Sequence, residues 1–360
     1  MDPPRNLYEG DPVMKIMALD LGKSKMVGCM YDTCALTHRF DSAPMDRGSL
    51  KTALDAERPD RVVIEVCTSA GWVGDVIRDR GIELQVANPS HQAWRWRSVK
   101  KKTDRLDALK LAELSASHQL PLVYLPQRDV RQWRSLIRYR HRLIARRTGI
   151  KNRIRSIFEG EGLSLPRSSE AWTQKGLASL RERTAAGDVM HPSEFWRIEL
   201  TEELKQYDQL AASVKEVERR LDALNAEDAR TKLLQTIPGV GPRLSEALVA
   251  VIDNPHRFTR SKQVAAYFGL VPRTFQSGAM SRQGRITGAG DRMVRALLVE
   301  VSWMALRYNG WAATTFERLC EGNGRRRKAA IVAIARRLVI RCWAMLRDNT
   351  GWSPPMAAAA

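Results

Sequence analysis

Residues 14–116 alternate short apolar runs with segments of helical spacing, and this order constrains the fold more than any other feature of the chain. MKIMALDLG and RVVIEVC are apolar runs of the length and composition of buried strands, and GWVGDVIRDRG has helical spacing and a glycine stop. Strands followed by helices in this order predict a mixed sheet flanked by helices, an α/β fold. The predicted strands are 14–22, 25–32, 35–40, 61–67 and 82–89, and the predicted helices are 71–81 and 101–116.

Helical patterns dominate the rest of the chain. Their spacing predicts long helices over 127–158 and 199–225, joined by an irregular connector at 160–198. The second helix has the a/d spacing of a coiled coil, at Tyr207, Leu210, Val214, Val217, Leu221 and Leu224. An antiparallel helical hairpin that could also dimerise and an ordinary helical bundle explain this stripe equally well. Residues 231–360 are predicted to be mostly helical, with strong patterns at 233–252 and 327–346.

Charge is the strongest signal in the composition. The chain has 59 Lys and Arg against 40 Asp and Glu, a formal net charge of +19. The excess is regional, since residues 1–125 carry a net +1, residues 126–230 a net +5 and residues 231–360 a net +13. Between Arg128 and Arg155, eleven basic residues occur with one acid, Asp129. A nucleic-acid partner explains this regional excess better than a uniformly basic surface does.

The sequence disfavours membrane and secreted proteins. No apolar run reaches about 18 residues, the length that suggests a membrane span, and the N-terminal MDPPRNLYEGDP lacks the apolar region of a secretory signal. The five cysteines form no CxxC pair, which indicates reduced thiols rather than a disulfide or zinc framework. These features predict a cytoplasmic protein with no membrane partner.

Four carboxylates lie on elements that are expected to converge. Asp20 and Glu65 end two predicted buried strands, and Asp104 and Asp107 are three apart on a predicted helix, so they share a face. Such a set is unfavourable unless a cation neutralises it, and two Mg²⁺ ions held there would serve phosphoryl transfer. Taken singly, a strand-end Asp is more often a cap, and DRLD is more often a solvated helix start. Glu65 favours the site, because an unpaired acid is rarely tolerated after an apolar run.

Two glycine-containing stretches follow in the last third of the chain. IPGVGPRLSEALVA (237–250) has the form of a helix-hairpin-helix, in which Gly239 and Gly241 let backbone amides approach a phosphate, and a plain turn between helices is the alternative. Further on, Ser277 precedes a glycine and has arginines near it in sequence, at Arg273, Arg282, Arg285 and Arg292. Cations stabilise a developing alkoxide and hold phosphate. Ser277 on a mobile loop is therefore the candidate nucleophile, Ser281 is the fallback, and an ordinary turn serine is the alternative.

These residues resemble the DEDD transposases of the insertion-sequence 110 family over almost the whole chain. The resemblance is carried by ALDLGKSK, VVIEVCTSAGW, VANPSH, KKTDRLDALKLAEL, TIPGVGP, QVAAYFGLVPRTFQSG and GRITGAGDRMVRALLVEVSWMA. It implies a RuvC-like (RNase H-like) N-terminal domain, a helical coiled-coil middle and a mostly α-helical C-terminal transposase domain. It also implies site-specific DNA recombination guided by a structured bridge RNA. On this resemblance Asp20, Glu65, Asp104 and Asp107 bind Mg²⁺, and Ser277 forms a transient phosphoserine link to DNA.

The expected organisation is a RuvC-like domain at 1–125, a coiled-coil domain at 126–230 and a transposase domain at 231–360. The expected partners are target and donor DNA, the bridge RNA, and further copies of the chain in a dimer or tetramer. The expected nucleic-acid contacts are Gly239, Gly241, Arg146, Arg147, Lys151, Arg153, Arg273, Arg282, Arg285, Arg292, Arg325, Arg326, Arg327 and Lys328. Two alternatives stay open: a RuvC-like nuclease or junction resolvase that forms no covalent intermediate, and a non-catalytic nucleic-acid scaffold.

Overall fold

The computed structural model of the chain describes residues 13–89, 103–166, 168–183, 191–277 and 280–354. Two compact units are distinguished, Met1–Arg131 and Gln132–Ala360. The division into three domains at residues 125 and 230 stays a prediction. Among the helices of the described residues, none has both the length and the hydrophobicity that crossing a bilayer requires.

The first unit is a mixed sheet with helices on both faces, which confirms the predicted α/β class. Its strands are β1 (Lys15–Leu21), β2 (Lys25–Asp32), β3 (Thr37–Pro44), β4 (Arg61–Glu65) and β5 (Glu83–Ala87). Its helices are α1 (Arg47–Glu57), α2 (Ala70–Arg78) and α3 (Asp104–Ala116). The five strands have the order β3-β2-β1-β4-β5. β1, β2 and β3 pair antiparallel, whereas β4 is parallel to both β1 and β5.

The two faces of the sheet bury separate cores. Met17 and Leu19 of β1 pack in the core that contains residues of α1 and α2, such as Leu50 and Val73. Ile16 and Ala18 of β1 pack in the core that contains residues of α3, among them Ala108, Leu111 and Ala112. Because side chains alternate along a strand, even-numbered positions of β1 belong to the α3 side of the sheet.

The second unit is mostly helical, as predicted. Its helices are α4 (Arg128–Gly160), which begins in the first unit, α5 (Gln174–Glu182), α6 (Trp196–Glu227), α7 (Ala229–Gln235), α8 (Pro242–Ile252), α9 (Ser261–Tyr267), α10 (Arg292–Tyr308), α11 (Gly310–Cys320) and α12 (Arg327–Asp348). The prediction of an irregular connector at 160–198 was wrong in part, because this segment contains α5 and the start of α6. Thr173 caps α5, its hydroxyl accepting from the Gly176 amide.

The helices α4 and α6 pack antiparallel, as the ion pairs between them show. Arg140 pairs with Glu218, and Arg153, further along α4, pairs with Glu199, earlier on α6. The a/d residues of α6 from Tyr207 to Leu221 are buried in the same core as Ile150 and Ile154 of α4. This stripe is therefore used within the chain, and the predicted oligomer stays a prediction.

A β-hairpin interrupts the helices, and this corrects the prediction that Ser277 lies on a mobile loop. The strands β6 (Pro272–Ser277) and β7 (Met280–Ile286) pair antiparallel. Residues 287–290 follow without regular structure. The hairpin escaped prediction because most of its side chains are exposed, so its sequence lacks the alternation of apolar and polar residues that a half-buried strand shows.

Candidate functional site

Asp20 and Glu65 end adjacent parallel strands at the same level of the sheet. Leu19 is paired in register with Ile64, so the next pair along the two strands is Asp20 and Glu65. Both positions follow the alternation of Ala18 and Val63, which are buried on the α3 side. The two carboxylates are therefore neighbours on the face that α3 covers.

The first turn of α3 lies at this same end of the sheet. Arg61 begins β4, and its guanidinium lies 3.4 Å from Ser115 Oγ near the C-terminus of α3, so α3 runs antiparallel to β4. At the other end of the helix, Lys25 Nζ lies 3.7 Å from Asp104 Oδ2. Lys25 begins β2, next to the end of β1. Asp20, Glu65, Asp104 and Asp107 thus share one corner of the unit, which we call the acidic corner.

The acidic corner has the donor chemistry of a hard divalent cation, which takes carboxylate oxygens. Asp20, Glu65 and Asp107 are half-buried, whereas Asp104 is 57% exposed. Within the described ranges, no three Asp, Glu, His or Cys side chains are yet close enough together to hold a metal ion. A cation held at this corner would therefore require the carboxylates to turn towards it. Asp104 and Asp107 also stabilise the first turn of α3 as anions at a helix N-terminus.

The acidic corner also contains two lysines that were not predicted from the sequence. Lys25 reaches Asp104 from the start of β2, and Lys110 lies one turn after Asp107 on α3. Partial burial lowers the pKa of Lys110, against the opposing effect of the nearby carboxylates Asp107 and Glu113. The spacing of three residues between Asp107 and Lys110 could have identified Lys110 from the sequence. The proximity of Lys25 to Asp104 depends on the pairing of β1 with β2, which the sequence does not show.

Ser277 is the last residue of β6, and Met280 is the first residue of β7. The register pairs Ser277 with Met280, Gln276 with Ser281, and Phe275 with Arg282. Cross-strand partners share a face and successive pairs alternate, so Ser277 and Ser281 occupy positions on opposite faces. The position of Ser277 shares its face with Phe275, Met280 and Arg282. The backbone therefore distinguishes the candidate nucleophile from its fallback.

The base of the hairpin is fixed by close backbone packing. Gly269 and Gly290 both have left-handed φ angles, of 66° and 72°, and a Cβ on either would overlap a backbone carbonyl, of Ala289 or Tyr267. The guanidinium of Arg295 donates to the carbonyl of Ala289 at 2.6 Å. These contacts anchor 287–290, so the predicted mobile limb is held at its base.

Asp291 anchors the end of this segment and the start of α10. Its side chain caps the helix by accepting from the amides of Met293 and Val294, and it forms an ion pair with Arg138 of α4. Arg273, Arg282, Arg285 and Arg292 are all exposed. The anchored base and the exposed arginines together make the hairpin a basic projection from a fixed support.

Many basic residues of α4 have partners within the chain. Arg134 donates to the carbonyls of Ala250 and Val251, while Arg138, Arg140 and Arg153 form ion pairs. Lys151 lies 5.0 Å from the ring centre of Trp172, and its pKa is lowered by burial and then by the neighbouring cations Arg147 and Arg155. Neither Arg146 nor Arg147 has an ion pair in the described part of the chain. Packing therefore accounts for part of the charge excess of this helix. Of its predicted nucleic-acid contacts, Arg146 and Arg147 are the two that neither an ion pair nor an aromatic ring occupies.

The glycine hairpin between α7 and α8 gives its two glycines different surroundings. Gly239 has a φ of 91°, and a Cβ there would lie 3.2 Å from the Cα of Ala305, so packing against α10 already explains this glycine. Gly241 is exposed, precedes Pro242 at the start of α8, and has open space around its missing Cβ. Of the two, only Gly241 leaves room for an approaching phosphate.

The predicted contacts Arg325, Arg326, Arg327 and Lys328 are exposed at the start of α12. Arg326 forms an ion pair with Glu321, and Arg327 lies 5.5 Å from the ring centre of Phe316. Arg325 and Lys328 are exposed and form no ion pair with any described residue, so their charges are the ones in this set that remain unbalanced.

Comparison with known proteins places these features in one family. The sequence profile described as "Transposase IS116/IS110/IS902 family" matches residues 231–317, and that of the IS110 DEDD transposases matches residues 17–161. The chain belongs to the IS110 family of transposases. The second profile covers all four residues of the acidic corner, and the first covers Ser277. Membership implies DNA as the substrate and a divalent metal cation in the DEDD domain.

Relatives that match over most of the chain agree with this assignment. The chain is 26% identical to a "Probable family 20 transposase" of Pseudomonas aeruginosa, over 95% of this chain and 100% of the relative. It is 26% identical to the transposase for insertion sequence element IS1111A of Coxiella burnetii, over 92% and 90%. It is also 26% identical to a pilin gene-inverting protein of Moraxella lacunata, over 74% and 73%.

Proposed function

We propose that this IS110-family transposase is an RNA-guided, site-specific DNA recombinase that cleaves and rejoins strands through a phosphoserine at Ser277. Mg²⁺, as two ions, would be held by Asp20, Glu65, Asp104 and Asp107. The observation that supports the proposal is the acidic corner, where two neighbouring strand ends and the first turn of α3 share one corner of the first unit. The strand order β3-β2-β1-β4-β5 supports a RuvC-like first domain.

The proposed chemistry is a transesterification. The hydroxyl oxygen of Ser277 attacks the phosphorus, the bond from phosphorus to one deoxyribose oxygen breaks, and that oxygen takes up the proton that serine has lost. Attack by a sugar hydroxyl of another strand reverses the step and releases serine, so rejoining needs no ATP. The bound cation would supply charge stabilisation to the oxygens of the reacting phosphate. Arg282, on the same face as Ser277, would hold that phosphate.

The remaining elements are assigned to nucleic-acid binding and assembly. The paired helices α4 and α6 support a coiled-coil arm, and α7 with α8 supports a helix-hairpin-helix that presents Gly241 to a phosphate. Arg146, Arg147 and the start of α12 would contact the backbone of the bridge RNA or of DNA. Target DNA, donor DNA and RNA would be brought together by a dimer or tetramer of the chain.

Conservative substitutions in the acidic corner test the proposal. Glu65→Gln and Asp104→Asn each keep the shape of the side chain but remove the charge that would hold the cation. We expect both to abolish DNA cleavage in Mg²⁺ while melting temperature and DNA binding persist. Asp55→Asn is the matched control, because Asp55 is an exposed carboxylate of α1 paired with Arg80. Full recombination by Glu65→Gln or Asp104→Asn in Mg²⁺ would contradict the four-carboxylate site.

Guidance by RNA has its own test. The purified chain is incubated with its element DNA, with and without RNA transcribed from the DNA flanking the gene. We expect strand transfer only with that RNA, and transfer to a new target when the target-matching segment of the RNA is changed. Equal transfer without RNA would refute guidance while leaving the serine chemistry intact.

A further inference from the structure

The face of the hairpin that carries position 277 also carries two large, exposed apolar side chains. Phe275 is 60% exposed and Met280 is 73% exposed. Single exposed apolar residues are common on protein surfaces and need no explanation. Here, however, both share a face with position 277, whereas the positions on the opposite face, 274, 276, 281 and 283, are all occupied by polar residue types.

The ring of Phe275 is supported from one side by a glycine. A Cβ on Gly284 would lie 3.0 Å from Cε2 of Phe275 and 3.7 Å from the carbonyl oxygen of Arg273. The ring therefore lies against the backbone of β7 at the place where a side chain is missing. Because 60% of the side chain remains exposed, the hairpin presents an aromatic ring to solvent.

The charge around this surface selects its occupant. No Asp or Glu occurs between Asp253 and Asp291, and this stretch contains the basic residues Arg257, Arg260, Lys262, Arg273, Arg282 and Arg285. Arg282 lies directly across the ladder from Phe275. An exposed aromatic ring with an arginine across the ladder, in a stretch without acids, matches a nucleobase on a phosphate backbone, the combination that proteins use to hold unstacked nucleotides.

We propose that Phe275 stacks on a DNA base that has left the duplex next to the phosphate attacked by Ser277. The inference rests on the proposed function and adds a positioning residue to it. Position 277 lies two residues along β6 from Phe275, and two residues of a strand span about 6.6 Å. The stacked base therefore lies within about two steps of the scissile phosphate. By holding this base, Phe275 fixes the strand relative to position 277.

Substitution of the ring tests the proposal in the full chain with bridge RNA and element DNA. Base stacking on an aromatic side chain is strong enough that Phe275→Ala should slow formation of the covalent protein–DNA adduct about 5- to 140-fold. Phe275→Tyr keeps the ring and should restore the rate. Phe195→Ala is the matched control, since Phe195 is 54% exposed outside the hairpin and should leave the rate unchanged.

A scan with abasic DNA identifies the base. Each nucleotide within three steps of the cleavage position is replaced in turn by an abasic one. At one position, the abasic nucleotide should slow adduct formation by the wild-type chain by the same factor that Phe275→Ala causes on intact DNA. At that position, the abasic nucleotide should not slow the Phe275→Ala variant any further. The stacking proposal would be overturned if Phe275→Ala formed the adduct at the wild-type rate. It would also be overturned if the effects of the variant and of the abasic nucleotide on the rate multiplied at every position. In both cases the adduct itself would still support the proposed function. If the wild-type chain forms no adduct with any of these DNAs, both proposals fall.

Discussion

Removing two adjacent charges from α4 should reduce the salt dependence of DNA binding by a calculable amount. Arg146 and Arg147 have no ion pair in the described part of the chain, whereas Arg153 pairs with Glu199. Each phosphate contact contributes about 0.9 to the slope of log K against log salt, so the double variant Arg146→Gln/Arg147→Gln should lower the slope by about 1.8. Between 50 and 200 mM salt, this makes the loss of affinity about 12-fold smaller than for the wild-type chain.

The measurement is a titration of labelled duplex DNA at several salt concentrations, followed by fluorescence anisotropy. Arg153→Gln is the control, because an exposed ion pair contributes only about 0–1 kcal/mol and its charge is already balanced. Lys151 is left intact, because its side chain packs on Trp172. The double variant should keep its melting temperature, since surface substitutions change stability by about 0.5 kcal/mol or less. An unchanged slope in the double variant, or an equal decrease in Arg153→Gln, would refute the assignment of Arg146 and Arg147.

Two further predictions concern the support of the site. Gly288 has a φ of 67° with open space around it, so Gly288→Ala should cost about 1–2 kcal/mol, whereas Gly290→Ala should lower the melting temperature more because its Cβ would overlap the carbonyl of Tyr267. Equal melting temperatures for the two variants would contradict this backbone packing. Burial raises the pKa of Glu246, against the stabilisation of its charge by Asn225 and Arg243. The free energy of unfolding of the wild-type chain, relative to that of Glu246→Gln, should therefore increase as pH falls through the raised pKa. Denaturant unfolding at several pH values measures this difference, and a difference that does not change with pH would contradict the prediction.

The sheet was predictable because its central strands consist mainly of buried apolar residues. Val62, Val63 and Ile64 form a run that only a strand covered on both faces explains, and the acid that follows marks the strand end. The helix α1 was not predicted, because only two of its residues, Leu50 and Leu54, are buried. Such a weak stripe does not separate a helix from a polar connection.

The residues of the site were predictable, but their neighbours were not. Asp20 and Glu65 could be selected as acids after apolar runs, yet their adjacency follows from the parallel pairing of β1 with β4. Likewise, counting charges on α4 could not tell Arg140, paired with Glu218 on α6, from Arg146. Contacts between residues far apart in sequence decide which charges are free for a ligand, and a local pattern does not contain them.

Detection of the covalent adduct tests the central claim most directly. The wild-type chain and Ser277→Ala are incubated with bridge RNA, Mg²⁺ and labelled element DNA, then separated on a denaturing gel, with the adduct mapped by mass spectrometry. We expect the wild-type chain to give an adduct at Ser277, and Ser277→Ala to keep its melting temperature and nucleic-acid binding while losing both adduct and strand transfer. Mapping to Ser281 would correct the residue but preserve the mechanism. DNA cleavage by the wild-type chain in Mg²⁺ without any adduct would contradict the account and favour a RuvC-like nuclease.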